Sequence, residues 1–192
     1  MAGMIPKRHA DPNPSRETPR PRIYLAGPDV FFADHERIFD ALKAHCTALG
    51  LIGVAPTDAT HTLPAGACDD ERAQAIYQGN VALIRAADAM IANLMNFRGQ
   101  EPDSGTVFEV GFAVALGKPV VGYGVPEGSY AERAQAAIAC RRDEAGVVTE
   151  AANGTVVEGL GQPLNLMLSQ SIALAPGAAE ALALLSQRLR RG

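Results

Sequence analysis

A chain of 192 residues with 47% hydrophobic and 20% charged side chains has the length to bury a core and an ordinary globular composition. Its net charge of −4 argues against nucleic-acid binding, which needs a basic face. No apolar run approaches the roughly 18 residues that a membrane span requires.

The cysteines, Cys46, Cys68 and Cys140, lie far apart and form no CxxC or Cys/His set, so no metal site is expected. An odd count without a signal peptide points to a reducing, cytoplasmic setting. Residues 1–21 are Pro-rich and basic without an apolar segment, and read as a disordered extension ahead of one domain over 22–192.

The first predicted element is the strand "RIYLAG" (22–27), closed by Gly-Pro. A helix follows in "ADHERIFDALKAHCTALG", where Ile38, Leu42, Cys46 and Leu49 recur at helical spacing and Gly50 ends the pattern. "LIGVAP" (51–56) is the second strand. The loop "TDATHTLPAGACDD" is long for a compact domain, which hints at binding. "ERAQAIYQGNVALIRAAD" is a helix expected to bury Ala73, Ile76, Tyr77, Val81 and Ile84, with Gly79 weakening it by about 1 kcal/mol relative to Ala.

"AMIANL" (89–94) is a third, buried strand. The loop "MNFRGQEPDSG" leads to the helix "TVFEVGFAVALG", and "KPVVGYG" is a fourth strand. Residues 127–146 read as helical, and 154–170 as an extended piece ending in a helical turn. "SIALA" is a fifth strand, and "PGAAEALALLSQRLRRG" is the closing helix. Strands and helices alternate, and the strands are apolar throughout. This predicts a three-layer α/β sandwich around a doubly wound, mainly parallel five-stranded sheet of flavodoxin- or Rossmann-like type.

Ligands of such sheets bind beyond the carboxyl ends of the strands, at the switch in strand order. The turn after the first strand lacks GxGxxG, and no P-loop is present, so no nucleotide cofactor is expected. "DSGTVFE" is the informative segment. Asp103 sits in the turn, Gly105 permits close backbone approach, and Glu109 lies three residues after Thr106. One reading is a capping box, Thr106-x-x-Glu109. The other is a functional carboxylate, kept ionised by the helix dipole as suits a nucleophile, with a second acid nearby. Such a pair is the equipment of a retaining glycosyl transfer.

Three motifs in one order, "IYLAGPDVF", "NFRGQEPDSGTVFEVGFAVALGK" and "VEGLGQPLNLML", resemble the nucleoside 2-deoxyribosyltransferases over about residues 22–190. The resemblance implies that a 2'-deoxynucleoside loses its base to form a deoxyribosyl-enzyme, which a second free base then attacks. It assigns Glu109 as nucleophile, Tyr24 as the hydroxyl that positions it, and Asp103 as an acid near the bound deoxynucleoside. It further implies a homo-oligomer, dimer or larger, in which Asn165 of a neighbouring subunit bonds the sugar 5'-hydroxyl.

Asn80 departs from the pattern, because bacterial members carry there an Asp that helps protonate the leaving base. Asn can hydrogen-bond a base but cannot supply a titrating proton. The proton would then come from Asp103 or water. Gly27, Asp58 and Gly105 complete the expected substrate contacts, with Phe31 stacking on the base. Val107, Phe108 and Phe112 are expected as an apolar collar that limits water.

Two rival readings are an N-glycoside hydrolase and a non-catalytic nucleotide-sensing domain. A 5'-phosphorylated substrate is disfavoured because Asp29 in the first loop would repel it.

Overall fold

Alternation along the strands assigns each residue to one of two cores. The computed structural model describes residues 19–60 and 65–191. The extension expected to be disordered lies mostly in residues 1–18, outside the described residues. Strand β1 (Arg22–Ala26) points Ile23 and Leu25 to one face and Tyr24 and Ala26 to the other. β3 (Ala89–Asn93) divides likewise, with Ile91 on the first face and Met90 and Ala92 on the second. Side chains of period two separate in this way on any pleated sheet.

Helix α1 (His35–Ala48) and helix α6 (Ala178–Leu189) cover the first face, through Phe39, Leu42 and Cys46 and through Ala181, Leu182 and Leu185. The second face is covered by α2 (Asp69–Ala86), α3 (Ser104–Ala115) and α5 (Leu166–Ser171), through Ile84, Val110, Ala113 and Leu168. Each fully buried aliphatic side chain contributes about 1.5–3 kcal/mol, so these two layers carry the fold.

With β2 (Ile52–Val54), β4 (Val120–Tyr123) and β7 (Ala173–Leu174), the sheet has the order β2-β1-β3-β4-β7. All its pairings are parallel; Tyr24 stands beside Val54 and Met90, and Asn93 beside Tyr123. After β1 the chain turns out to β2 and then returns past β1 to β3. The strand order therefore switches between β1 and β3, where their carboxyl ends leave a crevice. This is the three-layer, five-stranded α/β fold expected from the sequence.

Residues 127–146 depart from the single helix expected there. Helix α4 spans only Tyr130–Ala137, and an antiparallel hairpin follows, β5 (Cys140–Arg142) with β6 (Val148–Glu150). Asp143 makes the turn: its carbonyl accepts from Gly146 N and its side chain from Val147 N, while Gly146 takes φ +84°. The Asp-to-Gly turn and the Val run outweigh the helical preference of the preceding alanines.

Helix α2 also differs from expectation. Its second half packs through Ile84, but Ile76 and Tyr77 are about half exposed and Ala73 is exposed. From its first half, Ile76 lines the crevice instead. Among the described residues no helix is long and apolar enough to cross a membrane.

Candidate active site

The crevice at the strand switch is a cleft of about 480 Å³. The loop after β1 supplies Gly27, Val30 and Phe31, and the turn after β2 supplies Pro56, Thr57 and Ala59. Helix α2 adds Ile76 and Asn80, four residues apart and so on one helical face. The start of α3 brings Asp103, Gly105, Thr106 and Glu109.

Glu109 is held from two directions. The Tyr24 hydroxyl donates to its Oε1 at 2.7 Å, and Asn80 Nδ2 donates to the same oxygen at 3.3 Å. No described protein donor bonds Oε2. One carboxylate oxygen is thus anchored, and the other has no partner among the described residues.

The start of α3 corrects the capping expectation. Asp103, not Thr106, is the N-cap: its Oδ2 accepts from Thr106 N at 2.9 Å and from Thr106 Oγ1 at 3.0 Å. The helix begins at Ser104, so Glu109 lies in its second turn and is released from any capping role.

The expected charge state changes with it. Burial pushes the Glu109 carboxyl up to about 7, with the Tyr24 and Asn80 hydrogen bonds pulling down and the Asp103 charge pushing up. A helix dipole acts mainly within the first turn, and here desolvation dominates it. The Tyr24 hydroxyl is itself driven well above its ordinary range, first by burial and then by the neighbouring Glu109 charge, so it stays a donor.

Of the residues singled out in the sequence, the fold brings Tyr24, Gly27, Phe31, Asn80, Asp103, Gly105 and Glu109 together at this cleft. Asp58 is engaged elsewhere. Lys43 Nζ bonds its Oδ1 at 2.6 Å, and its Oδ2 accepts from Ala55 N at 2.9 Å as the cap of a short turn.

Asn165 caps α5, accepting from Met167 N and donating to Glu158. It lines a separate cleft of about 540 Å³ with Val107, Gly111 and Met167, between α3 and α5. It does not reach the Glu109 cleft of its own chain.

The expected collar is also displaced. Phe108 is half exposed and packs with Tyr77 and Phe112 on the surface, and Val107 faces the second cleft. Val30 and Ile76 line the Glu109 cleft in their place. The i, i+4 spacing of Ile76 and Asn80 was the available signal for this, but it reads equally as a core face. Asp29 is buried and hydrogen-bonded to Asn93, so it offers no exposed charge to repel a phosphate.

Among the described residues, no group of three or more His, Cys, Asp or Glu side chains stands ready for a metal ion. Cys46, Cys68 and Cys140 are free thiols, and burial pushes that of Cys46 up to about 11.

Comparisons with known proteins bear on the family and the fold. A 2-desoxiribosyltransferase from Leishmania mexicana superposes with a TM-score of 0.68 at 32% identity, covering 88% of this chain and 98% of that one. A conserved protein from Enterococcus faecalis V583 shares the fold, with a TM-score of 0.58, 21% identity and coverage of 88% and 99%. An uncharacterized Schizosaccharomyces pombe protein, C191.05c, is 34% identical over 114 residues. That match covers 59% of this chain and 54% of that protein, so this chain spans about half the length of the curated relative. The family model for nucleoside 2-deoxyribosyltransferase matches residues 23–167, a segment that holds Tyr24, Asn80, Asp103 and Glu109. This chain belongs to the nucleoside 2-deoxyribosyltransferase family.

Proposed function

We propose that the protein exchanges the base of 2'-deoxynucleosides by a two-step transfer through a covalent deoxyribosyl-Glu109 ester. The observation that carries this reading is the Glu109 carboxylate, anchored through Oε1 by Tyr24 and Asn80 with Oε2 open. The Leishmania mexicana relative supports deoxyribose as the transferred group.

In the first step an ionised Glu109 oxygen forms a bond to C1' as the C1'–N bond breaks, and the base leaves with that electron pair and one proton. A 2-deoxy sugar lacks the electron-withdrawing 2'-hydroxyl, so positive character at C1' costs less. In the second step a different base attacks C1' from the vacated face, its N–H proton returning to the group that protonated the first base, and Glu109 departs as carboxylate. Two inversions give net retention.

Asn80 has no proton to give, so Asp103 or a water supplies it to the leaving base. Val30 and Ile76 limit water at the ester. Asn165, directed away from its own cleft, completes the site of a neighbouring subunit in a homo-oligomer.

The test is product analysis of deoxyinosine incubated with enzyme, with and without adenine. Enzyme-dependent deoxyadenosine is expected. Free deoxyribose with no new nucleoside would replace transfer by hydrolysis, and absence of cleavage would overturn both.

A further inference from the structure

β3 ends in Asn93, which is 8% exposed, beside Asp29, which is 4% exposed. Asn93 Nδ2 lies 3.1 and 3.2 Å from the two Asp29 carboxylate oxygens, and its Oδ1 accepts from Met95 N at 3.3 Å. The assignment of N and O is fixed by Met95 N, which can only donate and so takes the oxygen on its side.

The backbone closes on this pair from both sides. A Cβ on Gly27 would stand 2.3 Å from Asp29 Oδ2 and 2.8 Å from Asn93 Cβ. One on Gly124, at φ +74°, would stand 2.5 Å from Asn93 Oδ1. The loops after β1, β3 and β4 therefore meet on one amide.

Burying a carboxyl is costly, and burial raises the Asp29 pKa despite hydrogen bonds from Asn93 and from its own backbone. Asp29 is absent from the cleft wall, yet its sequence neighbours Gly27, Val30 and Phe31 form part of that wall. A second contact joins the same two loops at the surface. Phe31 stacks on Phe97 at 5.3 Å between centroids, and the Arg98 guanidinium lies over both rings, 5.5 and 4.7 Å away. Arg98 holds φ +55°, so the second loop is itself constrained where it meets the first.

We propose that Asp29 and Asn93 are positioning residues: a buried clasp that fixes the first loop, and with it Phe31, as the base platform opposite Glu109. The inference rests on the proposed reading of the cleft as a nucleoside site. Asp29 and Asn93 touch neither base nor sugar. They act through the loop, so their loss weakens binding more than chemistry.

The experiment compares Asp29→Ala, Asn93→Ala, Asp29→Asn, Asn93→Asp and the double variant Asp29→Asn/Asn93→Asp in deoxyinosine–adenine exchange. Adenine affinity, measured by calorimetry, gives a readout independent of turnover. The alanine variants are expected to raise KM about tenfold while kcat stays within about threefold. Asp29→Asn keeps an acceptor for the amide and holds KM near the wild-type value. Asn93→Asp sets carboxyl against carboxyl and raises KM. The double variant restores one donor and one carboxylate with unchanged volume, and returns KM and adenine affinity toward wild type.

Should the alanine variants fail to fold, the isosteric series decides alone. Wild-type KM and adenine affinity in Asn93→Asp, or no recovery in the double variant, overturns the clasp. A wild-type enzyme that exchanges nothing refutes the reading of the cleft instead, which is a separate outcome.

Discussion

Tyr24 and Glu109, 85 residues apart in the chain, are joined by a 2.7 Å hydrogen bond from hydroxyl to Oε1. The register makes the bond possible. Tyr24 points to the sheet face that α3 covers, and the α3 residues Val110 and Ala113 seal that face beside it. A half-buried carboxylate meets a donor that does not ionise in the working range.

Removing that donor shifts the acid limb. The Tyr24 hydrogen bond lowers the Glu109 pKa against burial, so Tyr24→Phe raises it. Attack needs the ionised form, and the acid limb of kcat/KM therefore moves to higher pH. Activity near pH 7 is expected to fall by roughly tenfold or more. A pH–rate profile with an unmoved acid limb rejects the positioning role.

Glu109→Gln separates chemistry from stability. Exchange is expected to fall by about a thousandfold or more, because an amide cannot form the ester. Folding responds in the opposite direction. A carboxyl whose native pKa is raised from its ordinary 4.5 to about 7 binds more protons folded than unfolded between those values. Its stabilising influence is full below the unfolded pKa and is lost as pH rises toward 7. The lost stability is about 3 kcal/mol, so the variant gains on wild type by that order at pH 8 and by little at pH 4. Denaturant unfolding at the two pH values measures this, and a pH-independent difference contradicts it.

Asn80→Asp replaces an amide donor 3.3 Å from Glu109 Oε1 by a second carboxyl. Loss of the hydrogen bond and the added charge both push the Glu109 pKa up. The acid limb should move upward, while a proton source for the leaving base is gained. The expected result is lower activity at pH 6 and an acid limb that levels off at a higher pH than that of wild type, whose own limb is centred near 7. Parallel profiles for the two proteins would exclude a base-side role for position 80.

Asp103 carries two roles that substitutions can divide. As N-cap it is worth about 1 kcal/mol, lost in Asp103→Ala and largely kept in Asp103→Ser. Its charge also raises the Glu109 pKa, so both variants lower it and extend the profile to lower pH. If Asp103 serves the substrate, Asp103→Ser regains thermal stability without regaining kcat/KM. Recovery of both would reduce it to a cap.

The alternation of apolar strands with amphipathic helices was legible along the chain because both periods are local. So was the placing of Asp103 and Glu109 at a helix start beyond a strand end, whereas Tyr24 was joined to Glu109 only by the family resemblance. Other readings failed where a local pattern had two uses. Ile76 and Tyr77 have core spacing on α2, but both stay about half exposed, Ile76 in the wall of the cleft, and on α2 only Ile84 is buried. The alanines of 131–139 favour helix, yet Asp143 and Gly146 turn the chain into a hairpin.

The sequence by itself determined the layer order of the fold and put Asp103 and Glu109 at a helix start beyond a strand end, since periodicity and turn chemistry act between near neighbours. Only the tertiary structure decided that Asp103 takes the cap and frees Glu109. It alone tied Asp58 to Lys43, turned Asn165 to a different cleft, and buried Asp29 against Asn93. It also replaced the ionised carboxylate expected from the helix start by one raised to about 7. The physical reason is common to all of these. Burial, and the choice among competing hydrogen-bond partners, depend on elements distant in the chain, and a desolvated charge answers to everything packed around it.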